Sequence, residues 1–495
     1  MKKQNFAENT YLIAIILVLF TLISRVLILE KYFFGYDSVN YAFGVIDFSL
    51  HATRPHLPGS ILFVKSIELL NIIFGNIHQS FLILLNIFSS IATLLSYLIF
   101  LKYFETKKAI LLTLFLIFNP LLWFYGAVTE IYVFDWFFAS LILFVSFRKN
   151  SIYILPLIFA FFSGFRPSSG VLLLPFYFYL FWNQKVINWG KLVGYFCLAI
   201  IIFFAWFFPL IYSAGGIHEY IALFSTNNPM ESISLAKNIF RLSSIMLYFL
   251  VPFLMILIFH KRTNYQQNKT EIIKILFMIL PPVLFFIFLH YSKGYALLIV
   301  TPLVLLLGIF IKKKYTLVII FATIFEIILF LFLPTSETSL ESKLKPSIRK
   351  SGITQIWLDR TFSDYSLTLS EINLRDESIN NLISAINSSE VNRIFLGPTL
   401  SHFGRALQNY FPQKEILSIN FKNYKSFIQF KNMEVNQISI DKIDKNNILI
   451  VRKDFYNSYL QNFDMVFSDS NLIILVQNKE LLSTFEHVID SLFVR

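Results

Sequence analysis

Within twenty residues the chain gathers Asp37, Asp47, His51, Arg54 and His56, against a background otherwise very poor in charge. A carboxylate placed like Asp37, in Gly35-Tyr36-Asp37-Ser38, can take a proton from an attacking hydroxyl. The same residues could simply open a helix over 38–49. Ser38 can cap as well as Asp37, and that leaves the carboxylate for chemistry. Arg54-Pro55-His56-Leu57-Pro58-Gly59 reads as a rigid turn, because two prolines and a glycine restrict the backbone and start a second helix. A turn that holds His56 near Asp37 suits a site; the plainer alternative is a structural turn with a polar tip. His51 carries less weight.

Further along, Glu130 lies in Gly126-Ala-Val-Thr-Glu-Ile-Tyr-Val-Phe-Asp-Trp, at the end of an apolar run. An ionisable residue there is a functional candidate, or a helix-start carboxylate favoured by the dipole. Asp135 is more than one turn deeper, and Glu326 is deep in a later run; each needs a buried base or a proton. Arg166, followed by Pro167-Ser168-Ser169, interrupts a 30-residue apolar stretch. Its planar fork matches phosphate oxygens, and an internal pair with Glu130 is the competing reading. Lys293-Gly294-Tyr295 supplies a second cation and a tyrosine, with snorkelling as the alternative for the lysine. Arg25 is expected to snorkel. Asp37 and Glu130 could share a divalent cation, but two carboxylates do not specify a metal.

The elements that must position these residues are read from composition. Of 495 residues, 56% are hydrophobic and 15% charged, where soluble domains carry about 25% charged residues. A polytopic membrane protein is expected. Apolar runs continue to about Pro334; beyond it 18 basic and 18 acidic residues make a neutral tail, so the net charge of +12 belongs to the first part. The expected division is a membrane domain over 1–334, with a first outer loop at 30–79, and a soluble domain over 335–495. The single cysteine, Cys197, excludes an intramolecular disulfide. The N-terminus lacks a small-residue cleavage site and reads as an uncleaved span.

Eleven candidate spans are 11–29, 80–101, 109–124, 130–147, 151–165, 168–182, 192–213, 240–259, 272–291, 295–311 and 315–333. With the N-terminus in the cytoplasm, 16 of the 24 basic residues before the tail fall in cytoplasmic segments, and every short basic cluster is among them. This layout requires that 58–75 lie in the outer interface rather than cross, with 38–49 as a shorter interfacial helix. It puts the tail outside the cytoplasm. The tail reads as mixed α/β, with strand-like runs at Arg393-Ile-Phe-Leu, Asn447-Ile-Leu-Ile-Val and Leu472-Ile-Ile-Leu-Val and helices over 377–387 and 401–410.

The acidic residue after the first span, the Pro55–Gly59 turn, Thr129-Glu-Ile-Tyr132, Arg166-Pro167 and the Gly294-Tyr295-to-Pro302 stretch together resemble the GT-C superfamily of integral-membrane glycosyltransferases. The resemblance covers roughly 10–310 and is nearest to bacterial relatives of protein O-mannosyltransferases, with aminoarabinose and lipopolysaccharide-core transferases further off. It implies an inner (plasma) membrane enzyme with a polyprenyl-phosphate sugar donor, inversion at the anomeric carbon, and a glycan, lipid or protein acceptor outside the cytoplasm. It maps the catalytic acid of the first loop onto Asp37 and the turn histidine onto His56, and leaves Arg54, Glu130, Arg166, Lys293 and Tyr295 as candidates for binding donor or acceptor. Two departures stand out: Asp37-Ser38 replaces an Asp-Glu pair, and His56-Leu57-Pro58 replaces His-Pro-Pro. Membrane lipid is a further expected partner, and no nucleic acid is expected. The competing readings are a lipid-linked glycan polymerase or ligase, a transporter or flippase without transferase chemistry, and a membrane anchor. A transporter would usually show internal repeats and spans broken at mid-membrane; here no repeat is visible, and the polar residues cluster at one face apart from Asp135 and Glu326.

The basic clusters give a topology test. A reporter fused after Arg495 that works only in the cytoplasm should stay silent. A bright signal would put 58–75 across the membrane.

Overall fold

The computed structural model describes residues 2–33, 35–184, 186–226, 239, 269–289, 293–311, 317–332, 367–387, 393–396, 407–418, 448–452, 464–468 and 472–476. They fall into two compact units.

The first unit is helical. Its helices are α1 (Lys2–Val26), α3 (Ile61–Phe74), α4 (Ile77–Tyr103), α5 (Thr106–Ile117), α6 (Pro120–Tyr125), α7 (Val133–Val145), α8 (Ser151–Phe162), α9 (Pro167–Trp182), α10 (Trp189–Ser213), α11 (Ile217–Thr226), α12 (Lys269–Phe288), α13 (Leu297–Phe310) and α14 (Leu317–Phe332), with a 3-10 turn at Lys293–Ala296. Among the described residues, α4, α10 and α12 are long and apolar enough to cross a membrane. Each expected span except 240–259, which lies outside the described residues, coincides with helix. One differs in form: 109–124 is two helices, not one. Pro120 has no N–H to continue α5 and disfavours helical geometry in Asn119. Asn119 restarts the chain by accepting from the Leu121 N–H at 3.2 Å.

The segment expected at 58–75 is α3, with 14 residues. Ile61, Phe63, Val64 and Ile67 are buried, while Leu69, Ile72 and Ile73 are exposed.

The core is organised by α4, which packs on α1, α3, α5 and α7. Buried small hydroxyl residues, including Ser80, Ser89, Thr93 and Ser96, let its neighbours approach closely. Thr93 shares a hydrogen bond with Thr21 of α1 at 2.9 Å. Thr301 of α13 joins three partners: Ser96 at 3.0 Å, Ser140 at 2.9 Å and the Trp136 indole N–H at 2.9 Å.

Arg25 does not snorkel. It is fully buried near the end of α1 and donates to Ser24 Oγ at 2.8 Å. Gly126 makes the space: a Cβ there would stand 3.0 Å from Arg25 Cγ and Nε. Glu326, also buried, accepts from Asn119 Nδ2 at 3.0 Å.

The second unit combines residues 30–55 with the C-terminal region from Glu371. It contains α2 (Tyr36–Ile46), most of α15 (Leu369–Asn387) and a five-stranded sheet. The strands are β1 (Arg393–Leu396), β2 (Glu415–Ser418), β3 (Ile448–Arg452), β4 (Asp464–Ser468) and β5 (Leu472–Val476), in the order β2-β1-β3-β5-β4. β1 is parallel to β2 and β3, whereas β5 is antiparallel to β3 and β4. Of the expected helix at 401–410, only 407–410 is described, and it is helical.

The Thr301 junction can be tested. Thr301→Val keeps the shape but leaves the Trp136 N–H without its acceptor, at a cost of about 1–3 kcal/mol. The melting temperature of the purified protein should fall, and Thr301→Ser should restore most of it. A valine variant as stable as the parent would show that the junction contributes nothing.

Candidate functional site

In the first unit the site is built where the starts of α3, α7 and α9 meet the end of α8. Both Pro55 and Pro58 follow cis peptide bonds. Gly59 has φ 104°, a conformation suited to glycine, and its N–H closes the turn on the His56 carbonyl at 3.0 Å. The chain then enters α3, whose Leu62 N–H donates to the Gly164 carbonyl at 3.0 Å. Gly164 is required for that approach, since a Cβ would lie 2.6 Å from Leu62 Cδ1 and 2.9 Å from Trp206 Cδ2. Tyr220 of α11 donates to the Pro58 carbonyl at 3.1 Å. Burial pushes its phenol up to about 12, so it remains a donor at neutral pH. The histidine turn is thus held by a side chain on one side and leads directly to the backbone just before Arg166.

Arg166 is the N-terminal cap position of α9, with Pro167 in the first turn, where a missing N–H costs nothing. Phe165, just before it, stacks on Phe134 at 5.1 Å and 8°. That stack sets the next residues, Arg166 and Asp135, side by side. Arg166 Nε lies 3.2 Å from Asp135 Oδ2, with both side chains buried. Ser169 donates to the other carboxylate oxygen of Asp135. The guanidinium also lies over two rings, 4.4 Å from the centre of Tyr132 and 4.7 Å from that of Tyr295. Both are cation–π contacts, stronger away from water. Gly294 allows Tyr132 to pack there, because a Cβ would fall 2.0 Å from the ring. The result is a fixed cation held against a carboxylate and the faces of two tyrosines.

The base expected for Asp135 is therefore Arg166. Glu130 is buried in the turn before α7, where its N–H donates to the Val128 carbonyl at 2.8 Å. Tyr295 is half-buried in the 3-10 turn; Lys293 begins that turn, and its side chain lies outside the described residues. Three participants escaped the sequence reading as site members: Asp135 as the ion-pair partner, Ser169 and Tyr132. The spacing of Tyr132 and Asp135, three apart at the start of a helix, was the available signal.

In the second unit, α2 begins at Tyr36, two residues before the expected start, and Asp37 is half-buried in its first turn. The N-cap is Gly35 rather than Ser38; Ser38, at the third helical position, accepts from the Gly35 N–H at 3.2 Å, the reciprocal bond of a capping box. Arg54 is committed locally. It pairs with Asp47 at 2.5 Å, and its backbone bridges to Ser49 in both directions. This closes a small hairpin after α2. Among the described residues no three His, Cys, Asp or Glu side chains gather as a metal site.

No protein-family model matches the chain, and no curated protein matches it. Among solved structures it is similar to ArnT from Cupriavidus metallidurans. The apo state aligns with a TM-score of 0.56 at 10% identity, over 97% of this chain and 99% of ArnT. The structure bound to undecaprenyl phosphate aligns with a TM-score of 0.54 at 10% identity, over 96% and 99%. At that identity the likeness is one of fold. The chain has the fold of ArnT, and neither structure is of a protein O-mannosyltransferase.

The buried pair predicts a specific pattern of stability. Arg166→Met alone should destabilise the protein by about 3–5 kcal/mol, because it leaves the Asp135 carboxylate without its guanidinium. The double variant Arg166→Met/Asp135→Leu should recover most of that loss in a thermal-melt cycle. Additive losses would show that the two residues do not act as a pair.

Proposed function

We propose that this chain is an inverting glycosyltransferase that moves a sugar from a polyprenyl-phosphate donor to an acceptor hydroxyl on the extracytoplasmic side of the membrane. The observation that carries the reading is the fold likeness to ArnT over nearly the whole of both chains, one of the two ArnT structures being bound to undecaprenyl phosphate. The proposed layout keeps a membrane domain over 1–334 with its N-terminus in the cytoplasm, and a soluble domain over 335–495 outside it.

The chemistry follows from the donor. The acceptor oxygen attacks the anomeric carbon as the bond from that carbon to the phosphate oxygen breaks, and the configuration inverts. The lipid phosphate leaves as a stable anion, so it needs cations nearby rather than a general acid. Arg166 and Lys293 are the proposed cations, and Tyr295, which lies against the guanidinium, lines the same place. His56 and Glu130 are proposed to bind donor or acceptor. Asp37 is proposed to take the acceptor proton. Support for that role comes from Ser38, whose capping bond makes a cap an insufficient reason for the aspartate. Arg54 is the weakest of the proposed binding residues, since its pair with Asp47 already accounts for it.

Asp37→Asn tests the assignment. Turnover of a polyprenyl-phosphate sugar should fall by about a hundredfold to ten-thousandfold, with donor binding and melting temperature retained. Near-normal turnover would remove Asp37 from the mechanism.

A further inference from the structure

Within the second unit, three successive backbone N–H groups just before α2 are gripped by side chains of the C-terminal region. The Lys31 N–H donates to both carboxylate oxygens of Asp376 at 3.0 Å, across 345 residues of sequence. The Tyr32 N–H reaches Asp376 Oδ1 at 3.3 Å. The Phe33 N–H donates to the Tyr410 hydroxyl at 2.9 Å. The Tyr32 hydroxyl donates to Asn380 at 2.8 Å, and its ring meets Tyr410 edge-on at 5.7 Å. Asp376 and Asn380 stand one turn apart on α15 and so share a face.

These contacts are specific to the segment they hold. Neither helix nor sheet satisfies the N–H groups of 31–33, and a buried carboxylate that accepts from two neighbouring amides is a charge-assisted clamp. Asp376 and Phe33 are both buried. Burial, reinforced by Glu30, Tyr32 and Asp376, holds the Tyr410 phenol well above its ordinary range, so it stays protonated. Asp37 follows Phe33 by four residues, in the first turn of α2. At the far end the Asp47–Arg54 pair and the Ser49–Arg54 bridge close the hairpin. Gly44 makes room for it, since a Cβ there would stand 3.1 Å from Pro55 Cδ and 3.2 Å from the Arg54 carbonyl. The helix carrying Asp37 is anchored at both ends, and its leading anchor comes from the C-terminal region.

We propose that Asp376 and Tyr410 are positioning residues for Asp37: the C-terminal region holds the loop that carries the base. The catalytic part of this inference rests on the transferase reading; the grip itself does not. Amide hydrogen exchange on the full-length protein in nanodiscs separates the two. In Asp376→Ala, peptides covering 31–46 should exchange at least about tenfold faster, while peptides of β1 and β2 keep parental rates. Tyr410→Phe, which keeps the ring, should give a smaller change at the same place and guards against a poorly folded alanine variant. With a polyprenyl-phosphate sugar, Asp376→Ala should lower kcat roughly tenfold to a hundredfold with donor KM within about twofold, because a misplaced catalytic group loses rate rather than binding. Asp376→Asn, which keeps one acceptor oxygen, should fall between. Unchanged exchange at 31–46 overturns the grip. Faster exchange throughout the unit, or a loosened loop with parental kcat, overturns the positioning role. If the parent transfers no sugar, the transferase reading fails, while the exchange result still decides whether the grip holds the loop.

Discussion

A guanidinium inside a helical membrane fold is tolerated only if something replaces the water it has lost. Around Arg166 that replacement is Asp135, held in turn by Ser169, and the faces of Tyr132 and Tyr295. Much of the local structure exists to bring these groups together. The Phe134–Phe165 stack fixes the register between α7 and the end of α8. Gly164, Gly170 and Gly294 stand where backbone or side chains come too close for a Cβ: Leu62 presses on Gly164, Ser163 on Gly170 and Tyr132 on Gly294. The Leu62–Gly164 backbone bond then couples the histidine turn to the same point. Loss of the pair would undo the reason for this convergence.

For the proposed chemistry, the value of such an arrangement is that the cation is oriented before any substrate arrives. Charge that develops on a departing phosphate is stabilised best by groups that need not reorganise. Asp135 also tempers the positive charge of Arg166, so the proposal gives a second cation, Lys293, a share in holding the phosphate. The proton acceptor has different requirements. It must be placed accurately against a hydroxyl, and a short helix anchored at both ends meets that need better than an open loop.

How much could be read from sequence follows from how local each cause is. The apolar runs gave helices close to their expected limits, because a run of apolar residues declares itself without reference to partners. The break at Asn119-Pro120 was also local, yet proline occurs inside several of these helices, among them α9 and α13, so its presence alone did not mark the break. The apolar runs that became β1, β3 and β5 were visible; β2 and β4 are less apolar and were not. Long-range pairings were out of reach. Arg25 looked like a snorkelling residue because nothing in its own neighbourhood announces Gly126. Asp135 could be given a role only once α7 and α9 were known to begin side by side. The grouping of residues 30–55 with the C-terminal region depends on contacts such as Lys31–Asp376, which no periodicity encodes.

The central claim is that a sugar changes hands. Purified protein reconstituted in vesicles with a polyprenyl-phosphate sugar labelled in the sugar, and supplied with a cell-envelope fraction as acceptor, tests it most directly. The account predicts that label leaves the lipid, that free polyprenyl phosphate accumulates in equal amount, and that the new glycosidic bond has the inverted configuration. Label that remains on the lipid while the lipid crosses between leaflets would contradict it and identify a flippase.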